Sequence, residues 1–70
     1  MERNQITPEH LGQRVSLQYS LPNGYLSEVV GIIEMYDEGA HTYFIKKKDG
    51  EVVRVPQAGI RFGKVVPTPP

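Results

Sequence analysis

The sequence predicts an all-β domain: a small five-stranded, strongly bent antiparallel barrel with one short N-terminal helical turn and a 3₁₀ turn before the last strand. Residues 14–21 alternate polar and apolar side chains without a break, and glycine-containing turn signals separate the later apolar segments. No segment has the length and period of a helix that could support a core. A chain of 70 residues forms one domain at most.

The N-terminal third predicts a helical turn followed by a regular strand. Thr7 is suited to be an N-cap and Pro8 the first helical residue, while Gly12 ends the turn almost at once. The strand over residues 14–21 then points one set of side chains inward, and Pro22-Asn23-Gly24 predicts the turn that follows.

The second predicted strand, residues 25–36, changes its apolar phase beside Gly31, which predicts a bulge or a sharp bend there. A loop at residues 37–39 precedes the third strand, residues 41–48. Asp49-Gly50 predicts a two-residue type I′ hairpin leading to a fourth strand over residues 52–55.

The end of the chain predicts a 3₁₀ turn at residues 56–59 and a fifth strand at residues 60–66. The domain therefore spans residues 1–66, and residues 67–70 form a Pro-rich tail or linker. This order of elements describes an SH3-like barrel, with the Sm-like barrel, whose single helix precedes the first strand, as its near neighbour. The predicted core consists of Val15, Leu17, Tyr19, Val30, Ile33, Ile45, Val53, Val55 and Phe62.

Composition argues against several functional classes. Cysteine is absent, so neither disulfides nor thiolate metal ligands are available. No apolar run approaches the roughly 20 residues of a membrane span and no signal-peptide pattern opens the chain, so we expect a cytoplasmic protein. His10 and His41 form no HxH or HxxxH pair, and no Gly-x-Ser-x-Gly motif surrounds a serine. We expect no enzymatic activity, no cofactor and no metal.

Charge is distributed unevenly, although its net value is zero. Residues 1–40 carry two basic and six acidic side chains, whereas residues 41–70 carry six basic and two acidic ones. The asymmetry either balances neighbouring strands or provides a basic face for an anionic partner such as nucleic acid. An isoelectric point of about 6.7 disfavours nucleic acid. The candidate anion- or nucleic-acid-binding residues are Lys46, Lys48, Arg54, Arg61 and Lys64.

Tyrosines provide a second candidate surface, in which Tyr25, Tyr36 and Tyr43 are the candidate partner-docking aromatics. Such tyrosines, together with an acidic loop, dock polyproline II peptides on SH3 domains. Tryptophan and an ALYDY-type first strand are both missing here, so polyproline recognition has little support. The alternative is that the tyrosines are half-buried packing residues with hydrated hydroxyls.

Several segments, taken in order, resemble a known domain. They are Leu11-Gly12-Gln13-Arg14-Val15, Leu21-Pro22-Asn23-Gly24, Glu28-Val29-Val30-Gly31, Asp49-Gly50-Glu51-Val52-Val53-Arg54-Val55-Pro56 and Lys64-Val65-Val66-Pro67. Over roughly residues 9–67 the chain resembles the SH3-like domain that precedes the catalytic domain of some bacterial GNAT-type N-acetyltransferases. The resemblance implies a small barrel appended to an acetyltransferase, with chemistry and acetyl-CoA binding in the other domain. It carries over no catalytic residue.

These observations favour a non-catalytic binding module that docks or positions a protein partner, with an acetyltransferase domain as a candidate. The alternative is an Sm-like barrel that binds RNA or single-stranded DNA through its basic C-terminal half. A third hypothesis is an Sm-like ring, in which the fourth strand of one subunit pairs with the fifth of the next.

Overall fold

A computed structural model describes residues 4–67 and shows five strands and two 3₁₀ turns in that range. In chain order these are a 3₁₀ turn at Pro8–His10, β1 (Arg14–Ser20), β2 (Leu26–Asp37), β3 (Thr42–Lys46), β4 (Val52–Pro56), a 3₁₀ turn at Gln57–Gly59 and β5 (Ile60–Val65). The strands form one antiparallel sheet in the order β4-β3-β2-β1-β5. The predicted fold class is confirmed, including both short turns. Of the predicted Pro-rich tail, residues 68–70 lie outside the described residues.

The core follows the alternation of β1, whose inward side chains are buried. Within residues 4–67 the buried apolar side chains are Ile6, Val15, Leu17, Tyr19, Val29, Ile33, Tyr43, Ile45 and Val55. Six of the nine predicted core residues are among them, and Val53 is half-buried against their cluster. The predictions for Val30 and Phe62 are wrong, because both side chains point outward and are more than 40% exposed.

The prediction for Val30 is wrong because the alternation of inward and outward side chains in β2 shifts later in the strand than the sequence suggested. Val29, Gly31 and Ile33 all face inward, so the strand keeps one phase through the glycine. The bulge lies further on: Ile33 pairs with Ile45 and Met35 with Phe44, which leaves Glu34 as the extra residue. The prediction of a bulge beside Gly31 is therefore corrected to Glu34.

Gly31 nevertheless marks the bend of β2. The strand pairs with β1 as far as Ile32, and the same residue pairs with Lys46 on β3. A Cβ atom at Gly31 would overlap the Lys46 carbonyl oxygen and lie 2.9 Å from the Ile45 Cγ2 methyl group. Position 31 therefore needs a glycine, because β3 lies too close to β2 here to leave room for a side chain.

The β3–β4 hairpin has three loop residues rather than two. Lys47 N donates to Glu51 O (2.7 Å), and Gly50 N donates to Lys47 O (2.9 Å). Gly50 has φ +93°, whereas Asp49 lacks the positive φ that a type I′ turn requires. The predicted type I′ turn is wrong, although the positive φ of Gly50 is confirmed. The turn over residues 21–25 repeats this hydrogen-bond pattern.

Two neighbouring valines test the assignment of faces in β2. Val29 is 5% exposed and Val30 is 48% exposed. Val29→Ala should lower the free energy of unfolding by about 2 kcal/mol, because it removes buried methyl groups, and Val30→Ala by less than about 0.5 kcal/mol. Urea denaturation followed by circular dichroism measures both values. Equal losses for the two variants would show that the inward face of β2 is assigned wrongly.

Candidate interaction surfaces

The basic residues predicted to form one anion-binding face lie on different parts of the barrel. Lys46 is on β3, Lys48 in the next turn, Arg54 on β4, and Arg61 and Lys64 on β5. Because β4 and β5 are the two ends of the strand order, Arg54 and Lys64 lie at opposite edges of the sheet. Arg54 and Arg61 line separate cavities. Four of these five residues thus line three different cavities.

Lys46 and Lys48 instead share a cavity of about 440 Å³ with Arg14. The strand register explains the position of Arg14: it pairs with Ile32 on β2, which in turn pairs with Lys46 on β3. Two cations therefore flank an apolar side chain. Arg14 belongs to the acidic half of the chain, so the charge pattern along the sequence did not indicate it.

Carboxylates already partner two of the lysines of this cavity. Lys46 Nζ lies 3.7 Å from Glu34 Oε2, and Lys47 Nζ lies 3.2 Å from Glu51 Oε1. Both pairs are solvent-exposed, so each contributes less than about 1 kcal/mol to stability. They reduce the net positive charge that the cavity presents to an anion.

Arg54 lines a different cavity of about 390 Å³, where the end of β1 meets β4. Its other lining residues are Tyr19, Ser20, Leu21, Pro22 and Pro56. The arginine is the one charged residue of this lining. The cavity is an apolar groove with a single cation, and it does not extend the charge of the cavity around Arg14.

The three candidate docking tyrosines differ in exposure. Tyr25 is 72% exposed in the turn before β2, and Tyr36 is half-buried. Tyr43 is fully buried, with its ring centroid 4.8 Å from that of Tyr36. Tyr43 therefore belongs to the core and is not available for docking. It points inward from β3, between its strand partners Tyr36 on β2 and Val55 on β4.

Tyr36 joins the β2–β3 loop to the second 3₁₀ turn. Its hydroxyl donates to Gln57 Oε1 (2.9 Å), and His41 Nδ1 lies 3.3 Å from the Tyr36 hydroxyl oxygen. Gln57 N also donates to the His41 carbonyl oxygen (2.8 Å). His41 has a positive φ of 50°, a conformation that costs a non-glycine residue free energy. These contacts hold that conformation in place.

The Tyr43 side chain places a hydroxyl group inside the core. Within the described part of the chain its oxygen is buried and has no hydrogen-bond partner. Burial raises the pKa of the Tyr43 hydroxyl, and the nearby Tyr36 raises it further. The group therefore remains protonated at physiological pH, and its desolvation is not offset by a hydrogen bond.

A group of exposed apolar side chains on β2 and β5 was not predicted. Leu26, Val30 and Ile32 point outward from β2, and Phe62 points to the same side because β1 links it to β2 through the row Phe62, Gln18 and Glu28. We call these four residues the outer apolar face. The sequence shows that Val30 and Phe62 are apolar. Apolar character alone, however, does not show whether a side chain on a strand points outward or into the core.

Within residues 4–67 there is no group of three or more histidine, aspartate or glutamate side chains that could hold a metal ion. Nor does this range contain a helix long and apolar enough to cross a membrane. The arrangement that the structure offers is a set of surfaces: the outer apolar face and the cavities beside it.

The fold defines a small β-barrel. The family model described as the Rv0428c N-terminal Sm-like domain matches residues 9–64, and the chain belongs to this family. Comparisons with curated proteins and with solved structures find no match. The small barrel that the SH3-like resemblance implied is thus supported. The family itself is Sm-like, the barrel type that the sequence analysis gave as the near neighbour of the SH3-like barrel.

Two tyrosine-to-phenylalanine variants test the account of the buried hydroxyl. Tyr43→Phe should leave the free energy of unfolding unchanged or raise it by about 1 kcal/mol, because it removes an unpartnered polar group. Tyr36→Phe should lower it by about 0.5–1 kcal/mol, because it removes the hydrogen bond to Gln57. Thermal unfolding of both variants measures the two changes in the free energy of unfolding. A loss above about 1 kcal/mol for Tyr43→Phe would mean that its hydroxyl has a partner in solution.

Proposed function

We propose that this barrel is a non-catalytic binding module that docks a protein partner on its outer apolar face, and that the partner is a GNAT-type acetyltransferase domain. The observation that carries the proposal is the face itself. Leu26, Val30, Ile32 and Phe62 are each more than 40% exposed and lie on one side of the sheet. Single exposed apolar residues need no explanation, but a group on one face is typical of an interaction site.

The charges around the outer apolar face indicate the chemistry of the partner. Arg14 and Lys46 flank Ile32, and Lys64 lies across Ser16 from Val30. Glu28 points outward between the apolar residues of β2, and a second carboxylate, Glu34, partners Lys46. The face is therefore apolar, with a border that carries a small excess of cations. It complements a partner surface that is apolar at its centre and acidic at its border.

Two further points favour an acetyltransferase domain as that partner. The matching family is described as an N-terminal domain, which is the position implied by the resemblance to the acetyltransferase-linked barrel. Val66 N donates to Arg14 O (2.9 Å), so the chain leaves β5 next to a residue of the basic border. A domain that follows in the same chain would start beside the outer apolar face.

Nucleic-acid binding is the alternative, and the positions of the cations disfavour it. Single-stranded nucleic acid needs a continuous basic groove with stacking aromatics. Here Arg54 lies at the opposite edge of the sheet from Lys64, and carboxylates partner Lys46 and Lys47. The observation that favours nucleic-acid binding is the cavity that Arg14 shares with the three consecutive lysines.

A pair of equally exposed leucines tests the docking surface. Leu26 belongs to the outer apolar face, whereas Leu11 lies near the first 3₁₀ turn, and both are 54% exposed. Leu26→Asp should weaken binding to a separately expressed GNAT catalytic domain by about tenfold or more, because it places a charge in the contact. Leu11→Asp should bind like the wild type. Isothermal titration calorimetry measures all three affinities.

Equal affinity of the two leucine variants would contradict the proposed surface. Absence of binding to the catalytic domain, together with a micromolar complex with a single-stranded oligonucleotide, would favour the alternative. The affinity for the oligonucleotide should then fall with salt by a log–log slope of about 0.7 per phosphate neutralised. The double variant Lys46→Gln and Lys48→Gln should in that case reduce the slope by about one to two.

A further inference from the structure

The N-terminal segment covers part of the outer edge of β5. Gln5 N donates to the Gly63 carbonyl oxygen (2.9 Å), and Asn4 forms a parallel bridge with Gly63. Ile6 follows at 2% exposure in the core. We call residues 4–6 the covering segment. It adds one isolated bridge to the edge of β5.

The edge beneath the covering segment is a potential pairing site. β5 is the last strand of the sheet, and it pairs with β1 on its other side. The Gly63 carbonyl points away from β1, because it accepts its hydrogen bond from Gln5. Outward carbonyl and N–H groups on an edge strand can pair with a strand of another chain. Such edges are covered in many proteins, and here residues 4–6 provide the cover.

The fit at Gly63 shows how closely the segment lies against β5. A Cβ atom at position 63 would lie 2.6 Å from Asn4 Oδ1, 2.8 Å from Leu17 Cδ2 and 3.0 Å from Ile6 Cγ1. The glycine thus admits the covering segment on one side and the core on the other. No side chain at position 63 would hinder a second strand from approaching the same backbone.

We propose that the covering segment, held by the Gln5–Gly63 hydrogen bond, blocks a latent dimerisation edge, and that two copies of this chain pair their β5 strands antiparallel around Gly63 when the segment is released. This proposal goes beyond the proposed function, since it concerns the edge of the sheet and a second copy of the same chain. The two proposals share Phe62, which belongs to the outer apolar face, and Lys64, which borders it.

The side chains of β5 make a second copy a suitable occupant of this edge. In an antiparallel pair centred on Gly63, each Phe62 lies opposite Lys64 of the other copy, and no lysine faces a lysine. Phe62 and Lys64 both point outward. A two-fold axis therefore creates two contacts between a cation and an aromatic ring without like-charge repulsion.

Two substitutions at position 5 test the covering role. Gln5→Pro removes the N–H that bonds to Gly63, whereas Gln5→Ala keeps it. Gln5→Pro should release the segment, which the Ile6 methyl resonances report by NMR, and should form a concentration-dependent dimer in sedimentation velocity. Gln5→Ala and the wild type should remain monomeric under the same conditions.

Charge at position 62 then tests the pairing register in the Gln5→Pro background. Phe62→Lys would place two lysines opposite each other twice and should weaken the dimer by roughly tenfold. Phe62→Glu would place a carboxylate opposite each Lys64 and should leave the dimer intact or strengthen it. The two variants place opposite charges at the same position.

A wild-type chain that already dimerises would overturn the proposal. So would a Gln5→Pro chain that keeps Ile6 in the core, or one that releases Ile6 and stays monomeric. Equal dimer affinities for the two variants at position 62 would contradict the pairing register and thus the proposal. Unfolding of Gln5→Pro, seen by circular dichroism, would also count against it, because a segment that the fold requires cannot be a releasable cover.

Discussion

The close approach of β3 to β2 at Gly31 is the constraint on which the rest of the barrel depends. Here β2 stops pairing with β1 and continues with β3, and the two pairings share Ile32. A side chain at Gly31 would force the two strands apart at the Lys46 carbonyl. The bend brings Leu17, Ile33 and Ile45 together in the core, although they lie on three different strands.

The same bend determines where interaction surfaces can exist. A chain of this size has room for one small core, and each strand contributes alternate side chains to it. The remaining apolar side chains of β2 must therefore point outward, which produces the outer apolar face beside Arg14 and Lys46. Stability and binding thus use opposite faces of the same strands, and substitutions on the two faces should separate the two properties.

The sequence predicted those features that depend on local pattern. The facing of β1, the N-cap at Thr7, the 3₁₀ turn before β5 and the positive φ of Gly50 all follow from neighbouring residues. The facing of Val30 was missed, because the bulge at Glu34 has no signature in a run of apolar and acidic residues. Outward and inward valines look alike when the phase of the strand is uncertain.

The missed features depend on tertiary contacts. Ile6 enters the core because Gly63, 57 residues later, leaves room for it, and no local pattern reports such a pairing. Arg14 joins the lysines through strand register, and Tyr43 is buried despite its hydroxyl because β3 is a central strand. The candidate surfaces were therefore harder to predict than the fold, since they arise where distant segments meet.

The stability of a Gly31→Ala variant, compared with Gly39→Ala, tests the central constraint most directly. Gly39 lies in the β2–β3 loop, where a Cβ atom would meet its nearest neighbour, Asp37 Oδ1, at 3.4 Å. Gly31→Ala should lower the free energy of unfolding by more than about 2 kcal/mol, or prevent folding, because the added methyl group overlaps backbone. Gly39→Ala should change it by less than about 0.5 kcal/mol. A Gly31→Ala protein as stable as the Gly39→Ala protein would contradict the account.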